Sequence, residues 1–141
     1  MILFELMHSR IVVKEKGYSS SMWIDLYSTL EKANAVKDRY GKELEGFKDY
    51  PDCFFIEEID IPDLTDSSEN VYEVSFEIQT KEEYDEEGII GYYAKLSQAE
   101  QAKAKLMKSR SDLNTDMITI GKVWIDRSFW VDGFFTYISD K

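Results

Sequence analysis

Residues 23–40, WIDLYSTLEKANAVKDRY, recur in pattern at 89–106, IIGYYAKLSQAEQAKAKL. No other feature restricts the fold so tightly. Without a gap, Tyr27 falls on Tyr93, Leu30 on Leu96, Ala33 on Ala99 and Tyr40 on Leu106, each 66 positions on. Both stretches read as a strand, a turn and a helix with one apolar stripe. A strand–helix unit cannot bury its apolar faces alone, so each copy needs flanking strands. Ahead of the first, Ile2, Phe4 and Leu6 alternate with Leu3, Glu5 and Met7. Ahead of the second, Tyr72, Val74, Phe76 and Ile78 face one way and Glu73, Ser75 and Glu77 the other, a strand with one wet face. Behind the copies, CFFIEEIDI at 53–61 is echoed by MITIGKVWI at 117–125, with Ile56, Ile59 and Ile61 over Ile120, Val123 and Ile125.

Each half therefore reads strand, strand, helix, strand. The expected class is α+β: two ββαβ repeats related by pseudo-twofold symmetry, in one mixed or antiparallel sheet, or two sheets sharing a core, of about six strands with the helices on one face. The boundaries are a first repeat at 1–63, a linker at 64–70, a second repeat at 71–127 and an aromatic tail at 128–141 packed on the sheet. Local signals refine this. Ser28 and Glu31 are spaced as a capping box for the first helix, and Gly41 stands where a C′ residue closes it. Ala94 and Lys95 offer no such box, so Ser97 and Glu100 predict a later start for the second helix. Loops at 14–21 and 80–88 join the leading strands, and Cys53 opens a buried third strand.

Charge narrows the partner. Twenty-eight acidic residues against 17 basic give a formal net charge of −11. That balance repels a phosphate backbone and an anionic membrane, and it accelerates encounter with a basic protein. A single cysteine, Cys53, allows no internal disulfide and fits a reducing compartment. The opening MILFELMHSR is interrupted by Glu5 and His8 and has no basic leader, and no apolar run approaches the ~20 residues of a membrane span. The expectation is a cytoplasmic chain.

The inventory for chemistry is short. The one histidine, His8, takes the place of Phe76 in the repeat, an inward position suited to a hydrogen-bonded packing histidine. With no second histidine and Cys53 on a strand expected to be buried, little supports a Cys–His or Ser–His–Asp nucleophile, and the Cys/His set that zinc needs is absent. Asp112, Asn114 and Asp116 open like a calcium loop, but Met117 stands where glycine must turn the chain and Val123 where the bidentate glutamate belongs. No phosphate-binding glycine loop is present. The expectation is no catalytic residue, no metal, no cofactor and no enzyme. The candidate partner surface is the acidic run Glu82, Glu83, Asp85, Glu86 and Glu87 around Tyr84, with Trp130 and Phe134 as aromatic anchors.

Phe4-Glu5-Leu6-Met7-His8, then Leu26-Tyr27-Ser28-Thr29 entering a helix with Ala33, then Gly46-Phe47-Lys48-Asp49-Tyr50-Pro51 before Phe54 and Ile56, form one pattern. Together with Trp130-Val131-Asp132-Gly133-Phe134 they resemble a small uncharacterised domain family of bacteria and phages, here as a tandem pair. Its general look is that of bacterial immunity proteins. The resemblance implies a non-enzymatic binding module, an immunity- or antitoxin-like inhibitor of a basic toxin or nuclease. The alternatives are a phage-type inhibitor that mimics nucleic acid and a small ligand-binding or hydrolytic domain.

Overall fold

The structure, a computed structural model, describes residues 1–13, 18–78 and 86–127, with side chains for 1–9, 21–78 and 86–127. Among them are six strands and two α-helices in an α+β arrangement. The order is β1 (Ile2–Val13), β2 (Tyr18–Tyr27), α1 (Leu30–Glu43), β3 (Phe54–Asp60), β4 (Asn70–Ile78), β5 (Glu86–Tyr93), α2 (Leu96–Ser109) and β6 (Ile118–Trp124). The strands form two three-stranded sheets, ordered β2-β1-β3 and β5-β4-β6, with antiparallel neighbours throughout. Of the two arrangements expected for about six strands, one sheet or two, the strands take the second. Each leading strand sits in the centre of its own sheet and takes both of its neighbours locally.

Contacts divide the chain into two compact units. One holds residues 2–60 with Asp126 and Arg127; the other holds Met1 and residues 61–125. In the N-terminal unit α1 lays Ala33 and Tyr40 on Leu6, Ile24 and Tyr27, and Phe47 closes the cluster. Gly46, at φ 82°, makes the left-handed turn after α1 that lets Phe47 come back beneath it. His8 is fully buried at the end of this core. Its Nε2 lies 3.0 Å from the carbonyl oxygen of Tyr50, and Phe47 and Phe54 present ring edges to it at 5.1 and 4.8 Å. In the C-terminal unit the core is Val74, Ala99, Leu113 and Ile118, with Tyr72, Phe76, Tyr93 and Leu106 packed around it.

Several local expectations are corrected. Thr29, not Ser28, caps α1: its Oγ1 accepts from the Lys32 N–H at 3.2 Å. Gly41 lies inside α1, and the helix ends at Glu43. The second helix does not start late but at Leu96, with the Lys95 N–H donating to Gln98 Oε1 at 3.1 Å. Cys53 is half-buried in a 3₁₀ turn, Pro51–Cys53, ahead of β3 rather than in it. The second strand of each half starts inside the expected loop, β2 at Tyr18 and β5 at Glu86, so that Glu86, Glu87 and Gly88 belong to β5.

Candidate functional site

One face of the C-terminal sheet follows from the order of side chains along β4. On β4, Glu73, Ser75 and Glu77 point away from α2, while Val74 is buried beneath it. Register then fixes their neighbours. Ser75 stands opposite Ile89 on β5 and Thr119 on β6, Glu73 opposite Gly121, and Glu77 opposite Glu87. The last pairing puts two carboxylates directly across from one another, an arrangement that destabilises a sheet unless a cation joins them.

These side chains line an open groove of about 560 Å³ formed by Glu73, Ser75, Glu77, Glu87, Ile89 and Thr119, with Phe76 and Gly88 at its floor. A smaller hollow of about 380 Å³ shares Glu77 and Thr119 and adds Asn114, Asp116 and Met117. Among the described residues neither lining contains a lysine, arginine or histidine. Asn114 is engaged locally: its Oδ1 accepts from the N–H groups of Asp116 and Met117 at 3.0 and 3.2 Å, capping a 3₁₀ turn. The groove can hold cationic or hydrogen-bonding groups in a slot with an apolar side. Among the described residues no three metal-ligating side chains converge.

Gly88 is required where it stands. It pairs with Phe76, and a Cβ there would meet that ring at 2.8 Å, so the aromatic covers a position that only glycine leaves open. Arg110 secures the same end of the sheet. Its guanidinium lies 5.3 Å above the Phe76 ring and bonds Glu86 at 3.2 Å and Asp112 at 2.6 Å. The hydrogen bond from Arg110 holds the Asp112 carboxyl below its ordinary range.

Of the acidic run expected to meet a partner, Glu86 is therefore tied to Arg110, and Glu87 is exposed on the groove face. Glu82, Glu83, Tyr84, Asp85, Trp130 and Phe134 lie outside the described residues. Glu77, Ile89 and Thr119 belong to the groove but are not among the residues that the sequence marks for a partner. The alternation Glu73, Ser75, Glu77 marks the face; only the register brings Glu87 and Thr119 to it.

A second polar cluster lies in the N-terminal unit. Asp126, at φ 62°, accepts from the Ser28 N–H at 2.8 Å, the Ser28 hydroxyl at 2.7 Å and Lys32 Nζ at 2.9 Å. Desolvation pushes its carboxyl up, but the Ser28 and Lys32 contacts outweigh it and the net direction is down. Beside it Asp25 is fully buried. Its Oδ1 accepts from the Leu26 N–H at 2.7 Å, and its Oδ2 has no hydrogen-bond partner among the described residues. Desolvation raises this carboxyl to about 7, against the backbone hydrogen bonds from Leu26 and Arg127. Through Ser28 and Lys32 the cluster ties Asp126 to the start of α1, and it works as a clasp. No protein-family model matches the chain, and no curated protein or solved structure matches it.

Proposed function

We propose that this chain is a non-enzymatic protein-binding module whose C-terminal sheet holds a basic protein on its open acidic face. One observation carries the reading: Glu73, Glu77 and Glu87 share one groove in which, among the described residues, the lining holds three carboxylates and no cationic side chain. The overall charge of −11 would steer a basic partner toward it. An immunity- or antitoxin-like inhibitor of a basic toxin or nuclease is the most concrete form of such a module, acting in the reducing cytoplasm. The proposal extends to origin. The two units are copies of one ββαβ module, supported by ladders that pair equivalent residues, Phe4 with Tyr27 and Glu58, and Tyr72 with Tyr93 and Lys122.

Oligo-lysine tests the binding face. Changing Glu73, Glu77 and Glu87 together to Gln should weaken its low-salt binding at least about tenfold, the scale on which desolvated charge pairs act. The control changes Glu57, Glu58 and Asp60 of β3 to their amides. Equal weakening by both sets would mean diffuse charge and no site.

A further inference from the structure

We infer that the partner is held as an added strand: an extended basic segment pairs with the edge of β5 at Glu86–Ile89 and lays its side chains into the acidic groove. This rests on the binding reading above and names the form in which the partner arrives. Among the described residues β5 has one ladder neighbour, β4, so its other side is a sheet edge. An edge presents a row of backbone N–H and C=O groups, and extended peptides bind such rows by main-chain hydrogen bonds. Ile89, 52% exposed, stands on the groove face one step from that edge. Its exposure has no use in a solvated edge, whereas an aliphatic side chain from an added strand would cover it.

Charge decides between occupants. A second copy of this chain, itself at a net charge of −11, would bring its own Glu86 and Glu87 to an edge that already carries both, with no cation to offset them. A lysine or arginine opposite Glu87 would instead stand beside it on the side away from β4, its long side chain reaching over Glu87 toward Glu77, which faces Glu87 across the ladder. The rise of a strand sets the rest of the motif: side chains two apart share a face. The incoming strand therefore needs a basic residue and, two positions on, an aliphatic one over Ile89. The run is short, because the extra residue Ile90 bulges the strand between Ile89 and Gly91 and ends regular pairing there.

The probe is a capped peptide, Thr-Lys-Thr-Val-Thr-Lys, measured with two isomers N-methylated at its odd or its even positions. Only every second N–H of an added strand faces its neighbour, so one isomer should bind like the parent and the other at least about tenfold more weakly, one lost hydrogen bond to a partly desolvated edge being worth that much. Ile89→Lys should weaken the parent peptide similarly by placing a cation against its lysine. Equal behaviour of the two isomers, both retained or both lost, overturns strand addition while leaving the acidic face standing if the Glu-to-Gln set still weakens oligo-lysine. Failure of oligo-lysine and peptide alike removes the binding reading itself.

Discussion

Ile24–Asp25 and Ile90–Gly91 occupy the same rung of two ladders, and the units use it in opposite ways. In the first, Leu6 pairs with Asp25 and Met7 with Trp23, leaving Ile24 as the extra residue. In the second, Val74 pairs with Gly91 and Ser75 with Ile89, leaving Ile90. The backbone device is the same, a bulge that re-aims side chains on an outer strand. Its surroundings differ. Ile24 turns inward at 1% exposure, and Asp25 is buried behind it. The Asp126 N–H then donates to the Leu26 carbonyl at 2.9 Å, so the end of β2 is covered by chain. On β5, Ile90 stays 39% exposed, and Gly91 leaves room for the Tyr93 hydroxyl, 3.2 Å from where a Cβ would stand. A bulge therefore does not by itself seal an edge. The residues beside it decide.

The largest test of that contrast is truncation of the two isoleucines. Ile24→Ala empties a place between Leu6, Tyr27 and Ala33 and should cost roughly 2–5 kcal/mol in denaturant unfolding. Ile90→Ala removes a half-solvated side chain and should stay within about 1 kcal/mol. Similar losses at both sites would mean the two bulges are equivalent after all.

Asp25 sharpens the comparison through pH. Its folded-state value of about 7 lies above the unfolded 3.8, so the native state holds the proton that the unfolded chain releases. The contribution of this group is complete below pH ~4, falls as pH rises, and is gone above ~7. The span is on the order of 4 kcal/mol at ~1.4 per unit. Asp25→Asn copies the protonated form and should stabilise the protein at pH 8. The gain is roughly 2 kcal/mol, because the amide leaves a buried N–H group whose cost is about 1–3 kcal/mol. At pH 4 the sign should reverse. A variant no more stable than wild type at pH 8 would show that Asp25 is ionised without penalty, and that its burial does not distinguish it from Gly91.

Much of this pairing was legible in the alternation of apolar residues, because a two-residue period with one buried face leaves little freedom of register. The shared facing of Tyr72, Val74 and Phe76 follows from it, whereas the partners, Tyr27 for Phe4 and Tyr93 for Tyr72, are set by the ladders. The misread positions are those decided by distant chain. Ser28 looked like a cap, but Asp126, 98 residues on, takes both its N–H and its hydroxyl, and Thr29 caps instead. Gly41 looked like a helix stop; it lies inside α1, where a Cβ would make ordinary contact with the Phe54 ring at 3.5 Å and Pro51 at 3.7 Å. The wet face of β4 could be read from Glu73, Ser75 and Glu77. The opposition of Glu77 to Glu87 needed the bulge at Ile90, which no local pattern announces.

The helix starts give the smallest difference between the units and the cleanest one to measure. Both helices begin at the same place in the pattern, Leu30 and Leu96, but Thr29 supplies a side-chain acceptor to the Lys32 N–H and Lys95 supplies none. An orphan amide at a helix start gains about 1 kcal/mol from a serine, threonine, aspartate or asparagine cap. Thr29→Ala should therefore lose about that much, and Lys95→Thr should gain roughly half of it, since the Gln98 side chain already holds the Lys95 N–H at 3.1 Å. Asp63, at φ 67°, accepts from Gln98 Nε2 at 2.7 Å and keeps that side chain in place. Asp63→Ala should thus erode the second helix start while leaving the first untouched, read as faster amide exchange at 96–99 alone. Were Lys95→Thr instead to destabilise, the glutamine would be the whole cap, and the two helix starts would be alternative solutions rather than a finished and an unfinished form of one.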